Sequence, residues 1–239
     1  MLLSSTSEHH ESLVHNVCSV AEEEYTSEVS VWVVGDSAAV ALYPPGRFLP
    51  SQVGLGSVER LPALHVMHVT NPLLSCLDLY DVISNTIAKH KKYPEYLVIH
   101  AGAIDANPFG PTFNAIQIAI SRTLSSYNDI CSLAAPNYVS PHSLQSIIWS
   151  TPLPRQAAPL STNIVNTIQR VKLINAHARI IAVREHHGFL ETAKFFDATD
   201  RSLFAFPNTN GLIPSPEGAA PVFRALLIDI FTRLAIHRT

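Results

Sequence analysis

The stretch VVGDSAAVAL, residues 33–42, carries the decision about the fold. With Val31 and Trp32 it forms an apolar, β-branched run that ends in Gly35-Asp36-Ser37 and then turns to small residues. Such a run, bounded by turn residues, reads as a buried parallel strand followed by a helix. Ser37 then stands where a strand delivers its last residues to a sheet edge. It is either a nucleophile there or the N-cap of an ordinary helix, since serine is a preferred cap. Asp36 is expected to cap that helix or to hold the Ser37 loop through backbone N–H groups.

Outward from this stretch, strands and helices alternate. VSVWVVGD (29–36), ALHVMHVT (63–70), EYLVIHAG (95–102) and ARIIAV (178–183) read as strands. Residues 73–92, 111–124, 161–177 and 215–237 read as helices, with Pro221 expected to break the first turn of the last one. YPPGRFLPSQVGLG, residues 43–56, reads as a loop rich in turn residues, and residues 1–28 as a polar helix or lead-in to a single domain over 29–239. Four alternations without internal repeats predict an α/β fold, a three-layer α/β/α sandwich with a parallel sheet. Ligands bind such sheets at the carboxyl ends of strands. Three segments are predicted there: residues 35–37, Gly102 to Asp105, and the loop after Val183.

Composition narrows the classes of function. The chain has 239 residues, 47% hydrophobic and 15% charged, with a net charge of −3, so neither nucleic acid nor an anionic membrane is an expected partner. Cys18, Cys76 and Cys131 are odd in number and widely spaced, which predicts reduced thiols and a cytoplasmic location. The first residues lack a basic and an apolar region of a secretory signal, and no apolar run approaches the roughly 18 residues of a membrane span. His10-Glu11 and His15 are spaced one residue too far for His-Glu-x-x-His, and residues 54–57 (GLGS) lack the rest of a dinucleotide fingerprint. No cofactor or metal is called for.

A hydrophobic strand ending in Gly-Asp-Ser, a third strand ending in HAGAID, and GLIPSPEGA before a C-terminal helix together resemble three blocks of the SGNH, or GDSL-type, hydrolases. The resemblance spans about residues 29–235. It implies an acyl-accepting serine at Ser37 and a substrate that is a small or carbohydrate-linked acyl ester. The same match implies departures. Asn210 and Ile213 occupy the positions of the family's Asp-x-x-His, Ile104 that of its oxyanion asparagine, and the glycine of the second block falls in NPLLS (71–75), where Pro72 has no N–H.

With that histidine replaced, His186 and His187, after the fourth predicted strand, are candidates for a relocated base, or for a metal site with Glu185 and Glu191. They also read, and more simply, as loop residues on a solvated surface. His142 is a weaker candidate in an irregular, lid-like stretch, and His100 reads as a hydrogen-bonded residue within the sheet. Asp36, Gly102 and Asp105 are candidate oxyanion or substrate contacts, with Asp105 expected to tie its loop. Three readings follow: a divergent SGNH-type esterase or acyltransferase, a non-catalytic relative that binds an acyl, sugar or protein partner, and a different enzyme on the same scaffold.

Overall fold

A computed structural model of the chain describes residues 28–56, 61–71, 73–142, 145–153, 162–197, 200–205 and 213–237. The lead-in before Glu28 and the segment containing Asn210 lie outside these residues.

Six strands form one sheet in the order β2-β3-β1-β4-β5-β6. They are β1 (Glu28–Gly35), β2 (Gly46–Phe48), β3 (Ala63–Thr70), β4 (Tyr96–His100), β5 (Ser146–Ser150) and β6 (Gly188–Leu190). Five run parallel, and β2 joins the edge antiparallel to β3. The sheet is therefore mixed, and the predicted loop over residues 43–56 contains its edge strand.

Alternation along β1 sorts the two faces. Val29, Val31 and Val33 join Tyr96, Val98 and Ile148 in a core against α1 (Ser37–Leu42) and α6 (Pro216–Ile236). Trp32 and Val34 join Leu97, Ile99 and Trp149 against α2 (Leu79–His90), α3 (Phe113–Ser125), α4 (Tyr127–Ala134) and α5 (Thr162–Arg184). Helices on both faces of a mostly parallel sheet make the three-layer α/β/α sandwich.

ARIIAV is not a strand. It is the last part of α5, with Ala178, Ile181 and Ala182 buried while Ile180 and Val183 face solvent. Together with buried Ile174 these fall on a helical period, which a six-residue window hides. The strand role passes to SIIWS (146–150) and to the three residues of β6. Pro221 leaves α6 unbroken over 21 residues. It lies on the exposed side, so water can solvate the carbonyl it fails to bond, while Val222, Phe223, Leu226 and Ile230 remain buried.

Among the parallel strands, β3 lies on one side of β1 and β4, β5 and β6 follow on the other. The connection order reverses between β1 and β4, and the crevice outside the carboxyl ends at such a reversal is where ligands bind in open α/β sheets. The segments after β1 and β4 are residues 36–37 and 101–112.

Candidate functional site

Gly35 ends β1 where only a glycine fits. A Cβ there would meet Ala39 Cβ at 2.4 Å and the His100 carbonyl oxygen at 2.8 Å. The chain then turns through extended Asp36, whose N–H donates to the His100 carbonyl at 3.4 Å and whose Oδ1 accepts the Ala38 N–H at 2.9 Å. Asp36 is thus the N-cap of α1. Ser37, which the sequence offers as a cap, is instead the first helical residue and is exposed. Among the described residues no side chain bonds its hydroxyl. The Ala39 N–H goes to the Asp36 carbonyl, which leaves the Ser37 N–H as the amide of this turn not engaged by Asp36.

Two further loops close on this point. After β3, the Asn71 N–H donates to the Gly35 carbonyl at 3.3 Å. After β4, Gly102 adopts φ 111°, a left-handed conformation that a side chain would strain. Asp105, fully buried, staples the two loops: its Oδ1 accepts from Ser75 Oγ at 2.5 Å and its Oδ2 from the Cys76 N–H at 2.9 Å. Arg170 of α5 fixes the outer part of the β4 loop by donating to the Asp105 and Pro111 carbonyls. Asp105 therefore ties its loop, as the sequence suggests. Cys76, buried beside it, is no nucleophile, because burial and the neighbouring carboxylate push its thiol well above the usual range.

Beneath Ser37, on the α1 face of the sheet, lies a polar cluster with no sequence signature. His100 is the register partner of Gly35 on one side and of Ser150 on the other. Its Nδ1 lies 2.9 Å from Ser150 Oγ, which also bonds the Tyr43 hydroxyl, and its buried Nε2 has no partner among the described residues. Burial holds this imidazole below the usual range, with the Asp36 carboxylate opposing the shift. The three residues come from two strand ends and a helix cap, so only the assembled sheet brings them together.

Ser37, Asp36, Gly102 and Asp105 are thus gathered on the carboxyl edge. The other candidates are not. Because residues 178–183 are helical, the turn after Val183 enters β6 and does not leave a strand. His187 lies level with Ile147, accepting its N–H at Nδ1 and donating from Nε2 to the Leu124 carbonyl at 2.9 Å. Three strands across and three residues down from the Ser150 level places it more than about 15 Å from the Ser37 turn. His186 occupies the same turn with φ 59°. Glu185 is engaged by Arg184 and Ser125, and Glu191 by Arg179 and Lys194. Among the described residues no three His, Cys, Asp or Glu side chains form a metal cluster. His142 lies within 3.3 Å of the Glu28 carbonyl, at the amino end of β1, roughly 23 Å of strand from Gly35.

At the positions of the resembling blocks, Ile104 stands partly exposed on the β4 loop. Ile213 is half-buried, and its carbonyl accepts the Ala205 N–H at 3.0 Å. What survives of the last block is packing. Ser215 caps α6 through the Gly218 N–H, and a Cβ on Gly218 would lie 2.3 Å from the Leu203 carbonyl oxygen.

No protein-family model and no curated protein matches this sequence. Solved structures do resemble its fold. The acetylxylan esterase Axe2 from Geobacillus stearothermophilus superposes with a TM-score of 0.58 at 17% identity, over 87% of this chain and 96% of that one. Three of its matching structures are catalytic mutants, at a serine, an aspartate and a histidine. The aryl esterase of M. smegmatis gives 0.60 at 12% identity, over 85% and 99%. LAE5, an α/β hydrolase from the Lake Arreo metagenome, gives 0.58 at 14%, over 88% and 99%. The chain therefore shares the α/β/α sandwich of these solved structures, which it matches over nearly their whole length. No described helix is long and apolar enough to cross a membrane.

Proposed function

We infer that this protein is a divergent SGNH-type esterase or acyltransferase in which Ser37 is the acyl acceptor and turnover is slow. One observation carries the reading. The capping duty that would explain a serine here belongs to Asp36, so Ser37 is left exposed and unbonded at the strand end where the fold places ligands. In this reading the hydroxyl attacks the ester carbonyl, the alkoxy group leaves with a proton, and an acyl-Ser37 ester is released to water or to a second hydroxyl. The Ser37 N–H serves the oxyanion. Ile104 offers no donor and Ile213 no base, and each missing oxyanion donor costs about 100- to 1,000-fold in rate.

The test is hydrolysis of aryl acetates by the full chain and by Ser37→Ala. Slow turnover that vanishes in the variant supports the reading, and equal rates defeat it. A second reading, a non-catalytic protein that binds a ligand or partner at the same edge, is favoured by one observation: no described histidine or carboxylate bonds Ser37. It predicts ligand-induced thermal stabilisation without turnover.

A further inference from the structure

α5 carries apolar side chains on two opposite faces. Ile174, Ala178, Ile181 and Ala182 are buried against the sheet. A surface helix is ordinarily polar opposite such a face. Here that side presents Leu173, Ala176, Ile180 and Val183 to water, with Leu173 49%, Ile180 65% and Val183 66% exposed. Their spacing of three, four and three residues makes one straight stripe about 15 Å long, the pattern of a seam between two helices. Lys172 and Arg179 border the stripe on one side and Arg184 on the other, all three exposed. A second copy of α5 would set these cations against each other, so the seam suits an acidic partner.

The chain holds a segment of that chemistry. Residues 1–27 contain five glutamates and no lysine or arginine. Within them SLVHNVCSVA (12–21) sets Leu13, Val17 and Val20 four and three residues apart, a helical spacing about 10 Å long, and Glu22, Glu23 and Glu24 follow at once. The segment also ends within reach of the stripe. Glu28 opens β1 at the amino edge of the sheet, and α5 descends to that edge before β6, packed on β5 and β6. β5 and β6 lie two and three strands from β1, about 10 and 14 Å away, and α5 is about 10 Å thick. Residues 22–27 span up to about 20 Å when extended, enough for both displacements together. We propose that residues 12–24 dock on the outer stripe of α5. Leu13, Val17 and Val20 meet Leu173, Ile180 and Val183, and the three glutamates meet the basic border at Arg179 and Arg184. The contact does not depend on how Ser37 is read.

Photo-cross-linking of the full chain tests it, with Ile180→p-benzoylphenylalanine and the products located by mass spectrometry. They are expected within monomeric protein, on residues 12–24. Ile180→Asp reads the same contact without a probe. The position is exposed, so the fold should hold, and the charge opposes docking of an apolar, acidic segment. Cleavage by a glutamate-specific protease at residues 22–24 is then expected to quicken about tenfold, because proteolysis follows the population of the undocked segment. High salt should quicken it in the unaltered protein as well, by screening the glutamates from the basic border. Cross-links that join two chains would make the stripe an interface between copies and overturn the proposal. So would the absence of any product on residues 1–27, or equal cleavage rates in Ile180→Asp and the unaltered protein. The cross-link decides the question even when Ile180→Asp does not fold.

Discussion

The Asp36 carboxylate holds the Ala38 N–H at 2.9 Å, and this bond decides how the serine between them is read. Were Ser37 the cap, its presence would need no function. With Asp36 as the cap, the two residues have separable roles. Asp36→Ala is expected to cost about 1 kcal/mol of stability. Ser37→Ala, at the first helical position, should change it by less than about 0.5 kcal/mol. Urea denaturation of the two variants checks this, and a larger loss from Ser37→Ala would restore the serine to a structural role.

Asp105 joins two loops that share no other named side-chain bond. Removing its carboxylate leaves Ser75 Oγ and the Cys76 N–H without their acceptor. Asp105→Ala is expected to destabilise by about 2–4 kcal/mol, and Asp105→Asn, which keeps one acceptor, by less. Equal losses in urea melts would show that the charge and the second acceptor oxygen matter and the volume of the side chain does not.

Gly35→Ala tests the close approach of β1, α1 and β4. Its Cβ would press on Ala39 Cβ and on the His100 carbonyl, one of which is backbone and cannot swing away. A loss of about 3 kcal/mol is expected, at the upper end of overpacking costs. A thermal melt close to that of the unaltered protein would mean that α1 sits farther from the sheet.

His100 and His187 both take up protons less readily in the fold than in the unfolded chain, because burial opposes their charge. Below the ordinary imidazole value of 6.5 the unfolded chain therefore binds more protons, and stability falls as pH falls through that value. Urea midpoints at pH 7.5 and 5.5 should differ, and His100→Asn should show a smaller difference. An undiminished difference in the variant would remove His100 from the account.

Much of the fold was legible because β1, β3 and β4 are long apolar runs ending in turn residues. The fourth strand was misread because Ala178 to Val183 is β-branched enough to suit a strand, and its helical period shows only when Ile174 is included. SIIWS is five residues in an irregular stretch and carries too short a pattern to stand out. The site divided along the same line. Asp36, Ser37, Gly102 and Asp105 follow strands that were read correctly, and the structure gathers them. His186 and His187 were placed by the misread strand, and they lie at the other end of the sheet. The Tyr43–Ser150–His100 cluster and the Ser75 contact depend on strand order, which no local pattern encodes.

The central claim is that Ser37 retains an acyl-accepting hydroxyl on a scaffold without the usual base. The most direct measurement is fluorophosphonate labelling of the full chain, with the adduct located by mass spectrometry and Ser37→Ala as the control. The account predicts slow, stoichiometric labelling confined to Ser37 and lost in the variant. Folded protein that stays unlabelled, or that is labelled equally in the variant, would contradict it.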